Sequence, residues 1–92
     1  MTAPTAERQA LIVNPLGLHA RPAAQLVRLA STFASDILFD KDGMEVNGKS
    51  IMGVMMLAAE CGSSITIRAS GADAEQAVQA LLELVAGGFG EM

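Results

Sequence analysis

The residues best suited to chemistry are the eight from Gly17 to Ala24, which read Gly-Leu-His-Ala-Arg-Pro-Ala-Ala. They include His19, the only histidine in a chain of 92 residues, and Arg21 two positions later. A neutral imidazole can act as a nucleophile, and a guanidinium binds phosphate and carboxylate groups through several N–H donors. The segment therefore carries a nucleophile and a fixed positive charge that together could handle a phosphoryl group.

The same residues mark the start of a helix. Pro22 is tolerated in a first helical turn, where its missing N–H removes no hydrogen bond, and Gly17 permits a sharp turn in the preceding loop. The backbone N–H groups of Ala20 and Arg21 are then unpaired at the positive end of the helix dipole, where anions bind. His19 alone has another interpretation, because an isolated histidine often caps or packs against a helix. Its neighbours favour the anion site.

A second segment of interest, Lys49 to Met55, reads Lys-Ser-Ile-Met-Gly-Val-Met. Ser50 is a residue type that caps helices, and the run from Ile51 to Ala59 is apolar on every side. We predict a short helix here that is too apolar to be wholly buried. The residues expected on its exposed face are Ile51, Met52 and Met55, although methionines of this kind also fill protein cores.

The stretch from Gly43 to Ser50 matches the pattern of a phosphate-binding loop, with two glycines four residues apart followed by Lys and Ser. Its interior, Met44-Glu45-Val46, alternates like a strand and puts a carboxylate where a nucleotide phosphate would lie. The chain is also too short for the parallel sheet that such nucleotide-binding folds require. We therefore assign no nucleotide binding to this stretch.

Length and composition indicate a single domain over residues 1–92, with a flexible N-terminal segment at residues 1–7. A net charge of −4 with only six Lys and Arg argues against nucleic acid as a partner. One histidine and one cysteine cannot form a transition-metal site, and Cys61 is expected to be buried or half-buried. Without a signal-peptide pattern or an apolar run long enough for membrane insertion, we expect a cytoplasmic protein.

Residue patterns along the chain predict four strands and three helices. The strands are expected at residues 8–14, 36–40, 44–47 and 64–68, and the helices at 20–33, at 51–59 and between Asp73 and Gly87. Asp42-Gly43 predicts a tight hairpin turn, and Gln76 three residues after Asp73 predicts a capping box. The order βαββαβα predicts an α+β fold, an open-faced β-sandwich whose four-stranded antiparallel sheet carries three helices on one face.

Two of these segments resemble the histidine-containing phosphocarrier (HPr) family of the bacterial phosphoenolpyruvate-dependent phosphotransferase system. Asn14 to Ala23 is similar to the active-site segment of that family, and Lys49 to Met55 is similar to its regulatory segment, in the same order and spacing. The resemblance runs from about Leu11 to Gly90. It implies the open-faced sandwich, and we expect a monomer that needs no cofactor.

The resemblance implies a phosphocarrier rather than an enzyme. His19 would accept a phosphoryl group on Nδ1 from phosphorylated enzyme I and pass it to an enzyme IIA-type acceptor. Arg21 and the backbone N–H groups of Ala20 and Arg21 would hold the phosphoryl oxygens, in a loop geometry set by Gly17. Ser50 would be the target of a regulatory HPr serine kinase/phosphorylase. The partner-docking residues would be Ile51, Met52 and Met55.

Two alternatives stay open. A nitrogen-branch regulatory carrier shares the histidine segment, and Asn14, Leu16 and the Gly88-Phe89-Gly90 ending look at least as much like that branch, whereas the Ser50 segment favours a serine-regulated carrier. A non-catalytic adaptor would use the histidine only as a helix cap and the methionine surface for binding. A phosphohistidine assay separates carrier from adaptor, and neighbouring genes would separate the two carrier roles.

Overall fold

The fold consists of one four-stranded sheet and three helices, and the computed structural model describes residues 3–91. The strands are β1 (Thr5–Leu11), β2 (Asp36–Lys41), β3 (Met44–Asn47) and β4 (Ser64–Ser70). The helices are α1 (Ala20–Ala30), α2 (Ile51–Met56) and α3 (Ala74–Ala86), and a short turn at Gly88–Gly90 follows α3. This is the predicted βαββαβα order with one additional C-terminal turn.

The sheet is antiparallel throughout, with the strand order β1-β4-β2-β3. The central strand β4 pairs on one side with β1 and on the other with β2, so that Arg68 lies opposite both Glu7 and Leu38. Because successive strand residues point to opposite faces, β4 buries three residues on one face, Ile65, Ile67 and Ala69. The predicted α+β sandwich is confirmed.

The helices and one face of the sheet share a single core. Leu26 of α1, Leu81 of α3 and Phe39 of β2 are all fully buried in it. Each such side chain contributes on the order of 2 kcal/mol by leaving water. The opposite face of the sheet is open and charged, and Arg68 forms ion pairs there with Glu7 and Glu45. The core therefore fixes which side of the sheet carries the helices.

The first strand begins earlier than its sequence indicates. β1 spans Thr5–Leu11 rather than residues 8–14, and every one of its residues pairs with β4. Residues 5–7 are thus part of the sheet, which corrects the prediction of a flexible segment over residues 1–7, and Met1 and Thr2 lie outside the described residues. The strand was misplaced because it lies at the sheet edge with mostly exposed residues, so it lacks a strong apolar alternation.

Four element ends and one side chain also differ from expectation. Helix α1 ends at Ala30 rather than residue 33, and α2 ends at Met56 rather than residue 59. Strand β2 continues to Lys41 rather than residue 40, and β4 continues to Ser70 rather than residue 68. The chain leaves α2 at Ala58, which has a positive φ of 48°. Cys61 is exposed, not buried or half-buried, because it lies in the loop before β4.

The hairpin between β2 and β3 explains the false phosphate-loop pattern. Asp42 and Gly43 both have positive φ and form its two-residue turn, as predicted. The N–H of Gly48 donates a hydrogen bond to Ile37 O at 2.7 Å, and Lys49 Nζ donates one to Phe33 O at 2.9 Å. Gly43 therefore forms the hairpin turn, and Gly48 and Lys49 bond to backbone carbonyl groups of the protein. None of the three forms part of a phosphate-binding loop.

The loop before α1 packs closely on the segment after α2. Gly17 has a φ of +66°, and a Cβ at this position would overlap the carbonyl oxygen of Ala59. The same oxygen accepts the N–H of Leu18 at 2.9 Å, so loop and segment are held together at one point. Gly17 is therefore required here for both its backbone conformation and its lack of a side chain.

Asp73 precedes α3 but does not cap it. Its carboxylate accepts hydrogen bonds from Ala34 N at 2.9 Å, from Ser35 N at 2.9 Å and from the buried Ser35 hydroxyl. The predicted capping box with Gln76 is therefore wrong, because the carboxylate is used to tie the loop after α1 to the start of α3. The hydrogen bond from Ser35 and those from the backbone lower the pKa of Asp73.

We expect Gly17→Ala to reduce the free energy of unfolding by about 2–4 kcal/mol, because the new methyl group must separate the loop from Ala59 as well as strain the backbone. Gly43→Ala is the matched control, since Gly43 also has positive φ but has open space where a Cβ would lie. It should lose only the backbone term of about 1 kcal/mol. Urea unfolding of both variants measures the difference, and equal losses would contradict the close approach.

Asp73→Asn should lower stability at neutral pH, because the amide cannot replace a carboxylate that accepts three hydrogen bonds. A carboxyl whose pKa is lowered in the folded state stabilises the fold above its unfolded-state pKa and loses this contribution as the pH falls through the folded-state value. The stability difference between wild type and variant should therefore narrow below about pH 4. Urea unfolding against pH tests this, with exposed Asp36→Asn as the control, and a pH-independent difference would contradict it.

Candidate functional site

His19 lies immediately before α1, at its N-cap position, in an extended backbone conformation. Its side chain is 36 % exposed, and Nε2 lies 2.9 Å from Oε2 and 3.2 Å from Oε1 of Glu91. Within residues 3–91 the other ring nitrogen, Nδ1, has no hydrogen-bond partner. One side of the imidazole is thus held by a carboxylate while the other remains available for reaction.

The helix start beside His19 supplies hydrogen-bond donors for an anion. The N–H of Ala23 is donated to His19 O at 3.0 Å, and Pro22 has no N–H. The N–H groups of Ala20 and Arg21 make no hydrogen bond with any other group in the described part of the chain, and Arg21 is an exposed residue. The two backbone donors are thus free to hold an anion at the positive end of the helix dipole, and the part of the Arg21 guanidinium in such a site stays a prediction.

The loop before the helix is folded back by short-range hydrogen bonds. The N–H of Gly17 donates a hydrogen bond to Asn14 O at 3.1 Å, and the N–H of His19 donates one to Gly17 O at 3.0 Å. Together with the Leu18–Ala59 hydrogen bond, they orient the chain as it enters α1. The predicted role of Gly17 in loop geometry therefore has a direct structural basis, since its positive φ lets the loop reverse.

Asn14 connects this loop to Glu91. Its fully buried side chain donates from Nδ2 to Gly17 O at 2.8 Å and to Glu91 Oε1 at 2.9 Å. Because a carbonyl oxygen only accepts, the contact with Gly17 fixes which end of the amide faces the loop. Asn14 Oδ1 has no partner in the described region and is buried. The amide group is thus oriented so that its NH2 group bonds to the site while its oxygen forms no hydrogen bond with the described residues.

Glu91 is the site residue that the sequence analysis missed. It reaches His19 because Gly88, Phe89 and Gly90 all have positive φ, of 66°, 58° and 73°, and so turn the chain back after α3. Phe89 is the only non-glycine among them and is 5 % exposed, so its burial offsets an unfavourable backbone conformation. The Gly-Phe-Gly pattern signals an unusual turn, but nothing in it indicates where the next residue goes.

The exposed face of α2 is apolar, as predicted. Met52 is 78 % exposed, and Met56, which was not singled out from the sequence, is 66 % exposed. Ile51 and Met55 are 45 % and 43 % exposed, whereas Val54 of the same helix is fully buried. We call Ile51, Met52, Met55 and Met56 the methionine face. The segment that follows this face is close in space to the loop before α1 that carries His19, which we call the histidine loop, because Ala59 after α2 accepts the hydrogen bond from Leu18.

Ser50 occupies the N-cap position of α2, as predicted. Its half-buried hydroxyl oxygen accepts the N–H of Gly53 at 3.1 Å.

Among residues 3–91 there is no group of three or more His, Cys, Asp or Glu side chains that could hold a metal ion. No helix in this part of the chain is both long and apolar enough to cross a membrane.

Comparisons with known proteins identify the family. Residues 6–87 match the sequence model described as the PTS HPr component phosphorylation site. Phosphocarrier protein HPr of Cupriavidus necator is 49 % identical over 85 residues, covering 92 % of this chain and 96 % of that protein.

Two solved structures of Thermoanaerobacter tengcongensis proteins are also similar. HPr-C-His has a TM-score of 0.91 and 46 % identity, covering 95 % of this chain and 98 % of the other. An HPr dimer has a TM-score of 0.76 and 49 % identity, covering 82 % and 86 %. The family model spans the histidine loop, the sheet and all three helices. This chain therefore belongs to the HPr family of the phosphoenolpyruvate-dependent phosphotransferase system.

Proposed function

We propose that this protein is a phosphocarrier of the phosphotransferase system that takes a phosphoryl group from phosphorylated enzyme I onto His19 and passes it to an enzyme IIA-type acceptor. The observation that carries this proposal is the arrangement of the imidazole, with Nε2 next to Glu91 and Nδ1 without a partner among residues 3–91. The adjacent helix start offers two backbone donors. Family membership agrees with this chemistry.

In the proposed transfer, the lone pair of Nδ1 attacks phosphorus, a P–N bond forms, and the bond between phosphorus and the donor breaks. The backbone N–H groups of Ala20 and Arg21 and the Arg21 side chain hold the phosphoryl oxygens. His19 is regenerated when the acceptor takes the phosphoryl group. The protein is thus a reusable intermediate with no cofactor of its own, and the partner proteins supply the rest of the catalytic groups.

The methionine face is proposed as the docking surface for these partners. Flexible thioether side chains suit a surface that must fit several partners in turn. Leu16 of the histidine loop is a further exposed apolar side chain, at 75 %. A phosphate on Ser50 would add nearly two negative charges beside this face, so we propose that phosphorylation by a serine kinase/phosphorylase would slow docking.

The proposal also covers the compartment, the oligomeric state and the branch of the phosphotransferase system in which the protein acts. We place the protein in the cytoplasm as a monomer, although the T. tengcongensis structure named above is of an HPr dimer. The Lys49 to Met55 segment, with Ser50 at its helix start, favours a serine-regulated carrier of the sugar-uptake branch. The nitrogen branch remains the second candidate, because of Asn14, Leu16 and the Gly88-Phe89-Gly90 ending. Phosphotransfer to purified acceptors of each branch separates the two.

Incubation with phosphoenolpyruvate and enzyme I should place one phosphoryl group on the wild-type protein, stable in base and lost in acid. His19→Ala should take up none, because no second imidazole exists in the chain. Mass spectrometry of intact protein measures the uptake, and thermal unfolding checks that the variant is folded. Phosphorylation of His19→Ala at the wild-type rate would contradict the proposal, because the phosphoryl group would then lie on another residue. A wild-type protein that takes up no phosphoryl group would favour the adaptor.

Met52→Asp should weaken binding to enzyme I by about fivefold or more, because it puts a charge into an apolar contact. The fold should be retained, since this side chain is 78 % exposed. Met44→Asp is the matched control, because Met44 is also exposed, at 48 %, but lies on β3. Calorimetric titration with enzyme I compares them, and equal losses for both variants would argue against a docking role for the methionine face.

A further inference from the structure

We propose that Glu91 is a positioning residue for His19: its carboxylate holds the imidazole as the Nε2–H tautomer and thereby leaves the Nδ1 lone pair for phosphoryl acceptance. The part that concerns phosphoryl acceptance rests on the proposed function above. The part that concerns the tautomer rests only on the contacts among His19, Glu91 and Asn14.

Hydrogen-bond roles around the carboxylate determine the tautomer. An ionised carboxylate only accepts, so a ring nitrogen 2.9 Å from Oε2 must carry the hydrogen. The other oxygen, Oε1, already accepts an N–H from Asn14, whose amide orientation is fixed by Gly17 O. A neutral imidazole that carries its hydrogen on Nε2 has an unprotonated Nδ1. By holding the hydrogen on Nε2, Glu91 therefore leaves Nδ1, on the other side of the ring, as the nucleophilic atom.

Glu91 is itself held in place, which a positioning role requires. Its side chain is only 20 % exposed, and the contact with the fully buried Asn14 anchors it to the interior. The turn before it is stabilised by backbone hydrogen bonds from Gly90 N to Gly87 O at 3.3 Å and from Glu91 N to Gly88 O at 3.0 Å. The carboxylate is thus presented to the ring by an ordered segment.

The same contact is compatible with the phosphorylated state. When the P–N bond forms at Nδ1, the hydrogen on Nε2 stays where it is, shared with Glu91, and no proton has to leave the ring. The carboxylate contacts the nitrogen on the far side from the phosphoryl group, so it need not be displaced by the incoming phosphoryl oxygens. Glu91 therefore acts through His19 and does not bind the phosphoryl group.

The test compares Glu91→Gln and Glu91→Ala with Glu83→Gln, which makes the same charge change on an exposed face of α3. Nitrogen-15 NMR of the His19 ring, at about pH 9 where imidazole side chains are neutral, measures the tautomer without any partner protein. Wild type and Glu83→Gln should show the Nε2–H form. Both Glu91 variants should show a larger fraction of the Nδ1–H form.

Single-turnover phosphorylation by enzyme I provides the second measurement. Both Glu91 variants should accept the phosphoryl group about threefold to tenfold more slowly, the effect of losing one hydrogen bond, while Glu83→Gln keeps the wild-type rate. Folded Glu91 variants with an unchanged tautomer would overturn the proposal, and a changed tautomer with an unchanged rate would overturn its part in transfer. If even wild type is not phosphorylated, the proposed function fails, and the NMR result still decides the role of Glu91.

Discussion

The buried side chain of Asn14 holds together the two chain segments that form the site. One of its N–H groups is donated to Gly17 in the loop before α1, and the other is donated to Glu91 near the C-terminus. Because the amide is fully buried, water cannot replace either acceptor, and losing one of them would leave an unpaired donor inside the protein. Loop and C-terminal turn are therefore positioned together around His19.

Several locally unfavourable features are concentrated at this site. Gly17 and Phe89 have positive φ, and Asn14 Oδ1 is buried without a partner among the described residues. For a non-glycine residue such as Phe89, or for an unsatisfied buried oxygen, the cost is on the order of 1–3 kcal/mol each. The shared core of sheet and helices offsets these costs. Strain of this kind is typical of functional sites, where geometry is selected over local stability.

The sequence was most informative where a local rule applies. The amphipathic pattern of α1, the Asp42-Gly43 turn and the Ser50 cap were predicted correctly, because each depends on neighbours within a few residues. It was least informative where a distant partner decides. β1 begins at Thr5 because β4 pairs with it, and the Asp73 carboxylate does not cap α3 because it accepts hydrogen bonds from Ser35 and Ala34 instead.

By itself the sequence determined that His19 stands at a helix start, since Pro22 and Gly17 restrict the backbone within a few residues of it. It also determined the fold class, through strand and helix periodicities, and the apolar character of the methionine face. Only the tertiary structure decided that Glu91, 72 residues away along the chain, contacts the imidazole. That contact depends on the packing of α3 and on three consecutive positive φ angles, and neither leaves a pattern in the residues around His19.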